Sequence, residues 1–223
     1  MSEGTSRWHR YWSALDSPQH RYDDQEWFRF SADELLMYCP RAGVGALELG
    51  CGSGELYPFL QQRFTRYVGS DFSAAMLGRF RSRAPEVSLI CANATELPLR
   101  RVEFDFIFSN GVCQYLTPSD LARNLEQVHT LLAPGAVYLI ANIPDRELRL
   151  KYYSGALRAD RTINRAGALK AVARSILGRE DSGIGNWYVR REIAELAGKS
   201  GFRATTYSSA TYEYRFHAVL RPV

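Results

Sequence analysis

From Val44 onward, short apolar runs alternate with stretches of helical spacing, and the first changeover is built on glycine. Val44–Leu49 is an apolar run that reads as a buried strand and ends at Gly50, with Gly52 and Gly54 close behind. Glycine lets a backbone turn tightly and come close to a ligand with no Cβ in the way. Residues 55–64 then show helical spacing in Leu56, Phe59, Leu60 and Phe64, and residues 67–70 predict a second strand. Ser73 opens a helix through Met76, Leu77 and Phe80. Residues 87–91 and 104–108 predict strands three and four. Residues 119–132 place Leu121, Leu125, Val128 and Leu132 on one helical face, Pro134-Gly135 predicts a turn, and residues 136–141 a fifth strand. Strands that alternate with helices and are apolar along their length predict an α/β fold, with a mostly parallel sheet covered on both faces and right-handed crossovers.

The rhythm is absent at two places. Residues 1–40 are rich in aromatic and charged side chains and read as an N-terminal cap, with a helix over residues 31–38 in which Ser31 is the N-cap and Glu34 completes a capping box. Residues 144–189 read as a partly helical insertion on the substrate side. The pattern resumes with a helix over Arg190–Lys199, a stop at Gly201 and strands at 202–207 and 214–220, whose short link predicts antiparallel pairing. The 223 residues make one domain.

Composition excludes several classes. With 46% hydrophobic and 23% charged residues the chain is globular, and no apolar run approaches bilayer length. The N-terminus lacks a signal-peptide stretch, so a cytoplasmic location is expected. Cys39, Cys51, Cys91 and Cys113 form no CxxC pair and read as reduced thiols, three of them in or beside strand-like runs. No metal is expected. The net charge of +4 is concentrated: residues 145–191 hold eleven basic residues against five acidic, a net of +6. This segment suits phosphate or carboxylate groups, and residues 167–177 have the spacing of a basic amphipathic helix, either an ordinary surface helix or one resting on an anionic membrane. No nucleic-acid-binding module is present.

The chemistry sits in the order of the motifs. Glu48-Leu49-Gly50-Cys51-Gly52-Ser53-Gly54 does not fit a dinucleotide fingerprint, which would need glycine where Glu55 stands. Asp71, ending the second strand, can accept hydrogen bonds from both ribose hydroxyls of a nicotinamide or S-adenosylmethionine cofactor. After it come Phe72-Ser73-Ala74-Ala75-Met76-Leu77, then Asn93-Ala94-Thr95-Glu96-Leu97-Pro98 after strand three, Ser109-Asn110-Gly111 after strand four, and Leu132-Ala133-Pro134-Gly135. Together these resemble the class I, Rossmann-like, S-adenosylmethionine-dependent methyltransferases over residues 44–142.

That resemblance implies a seven-stranded sheet of order 3-2-1-4-5-7-6 with strand 7 antiparallel, and S-adenosylmethionine as cofactor. It implies that Gly50, Cys51, Gly52 and Gly54 wrap the amino-acid end, with Glu48 on its ammonium group. Asp71 and Phe72 would hold the ribose side. Asn93, where the family has Asp, and Ala94 would meet the adenine. Ser109, Asn110 and Gly111 would border the methyl group. The acceptor is expected to be a small, anionic or carrier- or lipid-linked molecule methylated on a sugar or similar hydroxyl. The alternatives are an amine acceptor, or a protein that binds the cofactor without catalysis. Tyr214-Arg215-Phe216-His217 and Trp187-Tyr188 resemble methyltransferases linked to polysaccharide or glycolipid pathways. A hydroxyl needs a general base, for which His9, His20 and Tyr115 are candidates. His129 and His217 are expected to be structural. The N-terminal aromatics either close a lid over the cofactor or pack on the sheet.

Overall fold

The computed structural model describes residues 25–41, 44–100, 103–154, 156–157 and 185–223. Seven strands form one sheet: β1 (Val44–Leu49), β2 (Phe64–Asp71), β3 (Ser88–Cys91), β4 (Phe104–Asn110), β5 (Leu132–Pro144), β6 (Phe202–Ser208) and β7 (Arg215–Pro222). Their order is β3-β2-β1-β4-β5-β7-β6, as expected. The first five strands pair in parallel, and β7 runs antiparallel to both β5 and β6. Among the described residues the α-helices are α1 (Gln25–Leu36), α2 (Tyr57–Leu60), α3 (Ala74–Arg83), α4 (Pro118–His129), α5 (Arg149–Tyr153) and α6 (Arg190–Lys199). Among the described residues no helix is long and apolar enough to cross a membrane.

β1 is buried at all six positions because it lies between β2 and β4 and is covered on both faces. Successive strand residues face opposite ways. Leu47, Leu49, Ile107 and Ile140 therefore join Leu121, Leu125 and Val128 of α4 and Ile193 of α6 in one core. Ala46, Phe106, Phe108 and Leu139 join Phe28, Ala32 and Leu35 of α1 in the other. Each such large side chain contributes about 1.5–3 kcal/mol on burial. His129 stacks edge-on against Phe202, as a structural residue would.

Three local expectations give way to tertiary packing. The helix over 55–64 shrinks to α2 and a 3₁₀ turn at Gln61–Arg63, because Phe64 already pairs with Val44 and packs against Phe106. Pro134-Gly135 does not end a segment: β5 runs through it as a bulge, with Gly135 at φ +76° and the register against β4 shifted there. Ser31 is no N-cap, since α1 starts six residues earlier and buries Phe28, Ala32 and Leu35 along one face. Glu34 is thereby released from any capping box. By contrast Ser73 caps α3 by accepting from the Met76 N–H, and Thr117 and Asp120 form a capping box on α4.

Candidate functional site

The carboxyl ends of β1, β2, β3, β4 and β5 and the start of β7 surround a cavity of about 280 Å³. This is where open α/β sheets bind ligands. Its β1–β2 side is made by the glycine turn. Gly50 and Gly52 have φ of +74° and +54°, and a Cβ on Gly50 would lie 2.3 Å from Val112 Cγ2, so only glycine lets this turn and the loop after β4 meet. The Gly50 and Cys51 N–H groups both donate to Ser70 O, at 2.6 and 3.0 Å. The Gly52 N–H donates to Asp71 Oδ2 at 3.0 Å, and the Ser73 N–H to Oδ1 at 2.8 Å.

Burial raises the Asp71 carboxyl above the usual range, against the pull of the Ser73, Gly52 and Phe72 N–H groups. Glu48 is more strongly affected. Burial pushes it up to about 8, although the Tyr67 hydroxyl donates to it, and the nearby Glu55 and Asp71 add to the rise. The glycine side of the cavity is therefore acidic.

The β4–β5–β7 side is different. It carries Asn110, Gly111, Gln114, Tyr115, Asn142, Tyr212 and Arg215, with Trp27 and Phe28 from α1. Asn142 organises it from a left-handed backbone, φ +57°, at an irregularity in β5. Its N–H donates to His217 Nδ1 at 3.1 Å and its side-chain NH₂ to Asn110 Oδ1 at 2.7 Å. Its Oδ1 accepts from the Ser209 hydroxyl at 2.9 Å, and its carbonyl accepts from Arg215 Nη1 at 2.7 Å.

Of the residues expected to meet a cofactor, all but Gly54 and Ser109 line this cavity. Gly54, at φ +81°, lies against Phe80, whose ring would stand 2.4 Å from a Cβ there. Ser109 is buried within β4. Asn93 lines the cavity, but its Oδ1 accepts from both the N–H and the hydroxyl of Thr95, each at 3.0 Å. Tyr115 lines it too, whereas His9 and His20 lie outside the described residues. His217 is wholly buried. Sequence reasoning named neither Asn142 nor Gln114 as a site residue, and Arg215 only as part of the Tyr214–His217 stretch. The positive φ of Asn142 leaves no sequence signal, and the other two stand in segments whose neighbours only the fold supplies.

The basic segment is only partly described. Arg146 pairs with Glu192 at 2.9 Å and Arg190 with Asp145 at 3.2 Å, tying β5 to α6. Residues 158–184, with the expected amphipathic helix, lie outside the described residues. Of Trp187 and Tyr188, the first packs with Tyr152, Tyr153 and Tyr214, and the second donates its hydroxyl to Leu116 O.

Comparison with known proteins adds an independent line. Residues 46–135 match a family model described as a methyltransferase domain. The trans-aconitate 2-methyltransferase of Methylobacterium radiotolerans is 38% identical over 117 residues, covering 51% of this chain and 44% of that protein. The malonyl-[acyl-carrier protein] O-methyltransferase of Enterobacter lignolyticus is 28% identical over 119 residues, covering 53% and 47%. The chain thus spans about half the length of these curated relatives. The crystal structure of magnesium protoporphyrin IX methyltransferase from Synechocystis with bound S-adenosylhomocysteine superposes with a TM-score of 0.62 at 17% identity, covering 98% of this chain and 93% of that one. The sheet order, the glycine turn followed by Asp71, and the match agree: residues 46–135 are similar to a methyltransferase domain, and the chain has the fold of the solved methyltransferase.

Proposed function

We propose that this protein transfers the methyl group of S-adenosylmethionine to an oxygen of a small anionic molecule held on the β4–β5–β7 side of the cavity. The observation that carries the reading is the division of charge: Glu48, Glu55 and Asp71 line the cavity together with a single buried arginine, Arg215, across the sheet from them. A cationic cofactor suits the first group and an anionic acceptor the second.

The residues fit the cofactor. The Gly50–Gly52 turn leaves the space that a Cβ would take. Asp71 offers both carboxylate oxygens to ribose hydroxyls while its bonds to Gly52 and Ser73 fix its orientation. Glu48 receives an ammonium group, which returns it to the charged state. Asn93, with its oxygen already serving Thr95, shapes the loop at Ala94 and does not take the adenine amino group. When bound, S-adenosylmethionine supplies a methyl group already activated by its sulfonium. The chain's own task is then to align the acceptor and keep water out. Trp27, Tyr115 and Tyr212 wall the acceptor side, with Tyr115 as the described candidate for taking a hydroxyl proton.

An oxygen acceptor is favoured over an amine because an acidic acceptor suits the arginine. Of the two relatives, one is named for trans-aconitate, an acid, and the other for O-methylation of a malonyl group. The test is calorimetric titration with S-adenosylhomocysteine and with NADH, followed by turnover of methyl-labelled S-adenosylmethionine against hydroxy, amino and carboxylic acceptors. Tight binding of S-adenosylhomocysteine alone and label in an oxygen-linked product are expected. NADH binding in its place, or folded protein that binds neither, defeats the reading.

A further inference from the structure

Arg215 opens β7 and brings its guanidinium to the cavity in a state unlike that of the other arginines near it. Arg146 and Arg190 hold Glu192 and Asp145. Arg215 is only 9% exposed, its Nη1 donates to Asn142 O, the rings of Tyr212 and Tyr214 flank it at 4.9 and 5.0 Å, and its Nε has no partner. A buried cation without a counter-ion is costly, so a ligand anion has much to gain there.

A second unfilled position stands beside it. Gln114 is 7% exposed; its Nε2 donates to Gly111 O at 2.8 Å, and its Oε1 has no partner. A Cβ at Gly111 would lie 3.8 Å from Gln114 Nε2 and 3.9 Å from Arg215 Nη1, which puts both side chains around one point at the end of β4. The site therefore presents a cationic donor and a neutral acceptor side by side.

We propose that the acceptor is a small hydroxylated carboxylic acid, its carboxylate on Arg215 and its hydroxyl donating to Gln114 Oε1. This rests on the methyltransferase reading and adds the class of molecule. A carboxylate is favoured over a phosphate because Arg215 is the one basic residue among the described residues lining the cavity, which it shares with the carboxyl groups of Glu48, Glu55 and Asp71. One arginine with one amino group already committed matches a planar monoanion better than a dianion.

The experiment is calorimetry on the full chain saturated with S-adenosylhomocysteine, titrated with lactate, malate and 4-hydroxybenzoate, with their neutral amides, and with inorganic phosphate. At least one acid is expected to bind, with its amide about tenfold weaker or more. Arg215→Gln should weaken that acid about tenfold to a hundredfold and Gln114→Leu about fivefold to tenfold, both leaving S-adenosylhomocysteine affinity within about twofold. Should Arg215→Gln fail to fold, Arg215→Lys keeps the charge without the planar fork and should weaken the acid about threefold to tenfold. The proposal falls if none of the acids binds to cofactor-loaded protein, if phosphate binds more tightly than every acid, or if the arginine variants bind the acid as wild type does. Failure of S-adenosylhomocysteine to bind the folded wild type would instead remove the methyltransferase reading beneath it.

Discussion

Glu34 Oε1 and His217 Nε2 lie 2.8 Å apart although 183 positions separate them in the chain. Because His217 Nδ1 accepts the Asn142 N–H, the ring proton sits on Nε2 and is donated to Glu34. Glu34 also accepts from the Ala210 N–H at 2.5 Å and from Thr211, so one carboxylate ties α1 to β7 and to the turn that carries Tyr212. Burial works against its charge, but the hydrogen bonds from His217, Thr211 and Ala210 outweigh it and hold the carboxyl at about 2. That stabilisation is present above pH 4.5 and is lost as pH falls toward 2. Glu34→Ala should cost about 3 kcal/mol or more in urea denaturation at pH 7, with the difference from wild type shrinking below pH 4.5. A variant as stable as wild type at pH 7 would show that the pair does not fasten the helix.

Glu48 gives the opposite sign. Its carboxyl, raised to about 8 by burial, favours the protonated folded state, so its contribution to stability declines as pH rises from 4.5 toward 8. A bound ammonium group reverses the preference. At pH 7, S-adenosylhomocysteine binding should release up to about one proton, seen as a dependence of the calorimetric heat on the buffer's ionisation enthalpy. Glu48→Gln should abolish the release; if the variant still releases the proton, Glu48 is not its source.

Two glycines in one turn should separate binding from folding. Gly52 has only Glu55 Oε2, at 3.7 Å, near the place a Cβ would take, whereas Gly54 faces the Phe80 ring. Gly52→Val should leave a folded protein, destabilised by about 1 kcal/mol from its positive φ, that no longer binds S-adenosylhomocysteine. Gly54→Ala should lower the melting temperature more steeply, because the Phe80 ring must move. Equal effects of the two on melting and binding would contradict the division.

Asp71→Ala removes the proposed acceptor for two ribose hydroxyls and releases the Gly52 N–H. Affinity for S-adenosylhomocysteine should fall by about 1.5–3 kcal/mol for each hydrogen bond lost to the charged group. An unchanged dissociation constant would take Asp71 out of the ribose role.

The strands were legible because five of them carry apolar runs with turn residues at their ends, and the sheet order followed from the family's motif order. What escaped notice was decided by burial and hydrogen bonding that only the fold reveals. Ser31 and Glu34 have the spacing of a capping box, yet the buried face of Phe28, Ala32 and Leu35 extends the helix past them. Asn93 has the position of an adenine contact, but Thr95 two residues on satisfies its oxygen. On the glycine side, the lining comes from short stretches directly after β1, β2 and β3, each with its own local pattern, so that side could be read from the sequence. The acceptor side needs Asn142, Gln114 and Arg215 to meet from β5, the loop after β4 and β7, and no local pattern encodes that meeting.

The antiparallel β6–β7 hairpin lies beyond residue 135, outside the stretch shared with the family model, and it delivers Arg215 at its opening together with Tyr212 just before it. Arg215 and Tyr212 thus stand outside the matched stretch, whereas Gln114 and Tyr115 on the same side of the cavity stand inside it. On the proposed reading, exchange within the last twenty or so residues retunes which molecule is accepted and leaves the glycine turn and Asp71 untouched. A diversifying library aimed at new acceptors belongs in that hairpin rather than around the glycines.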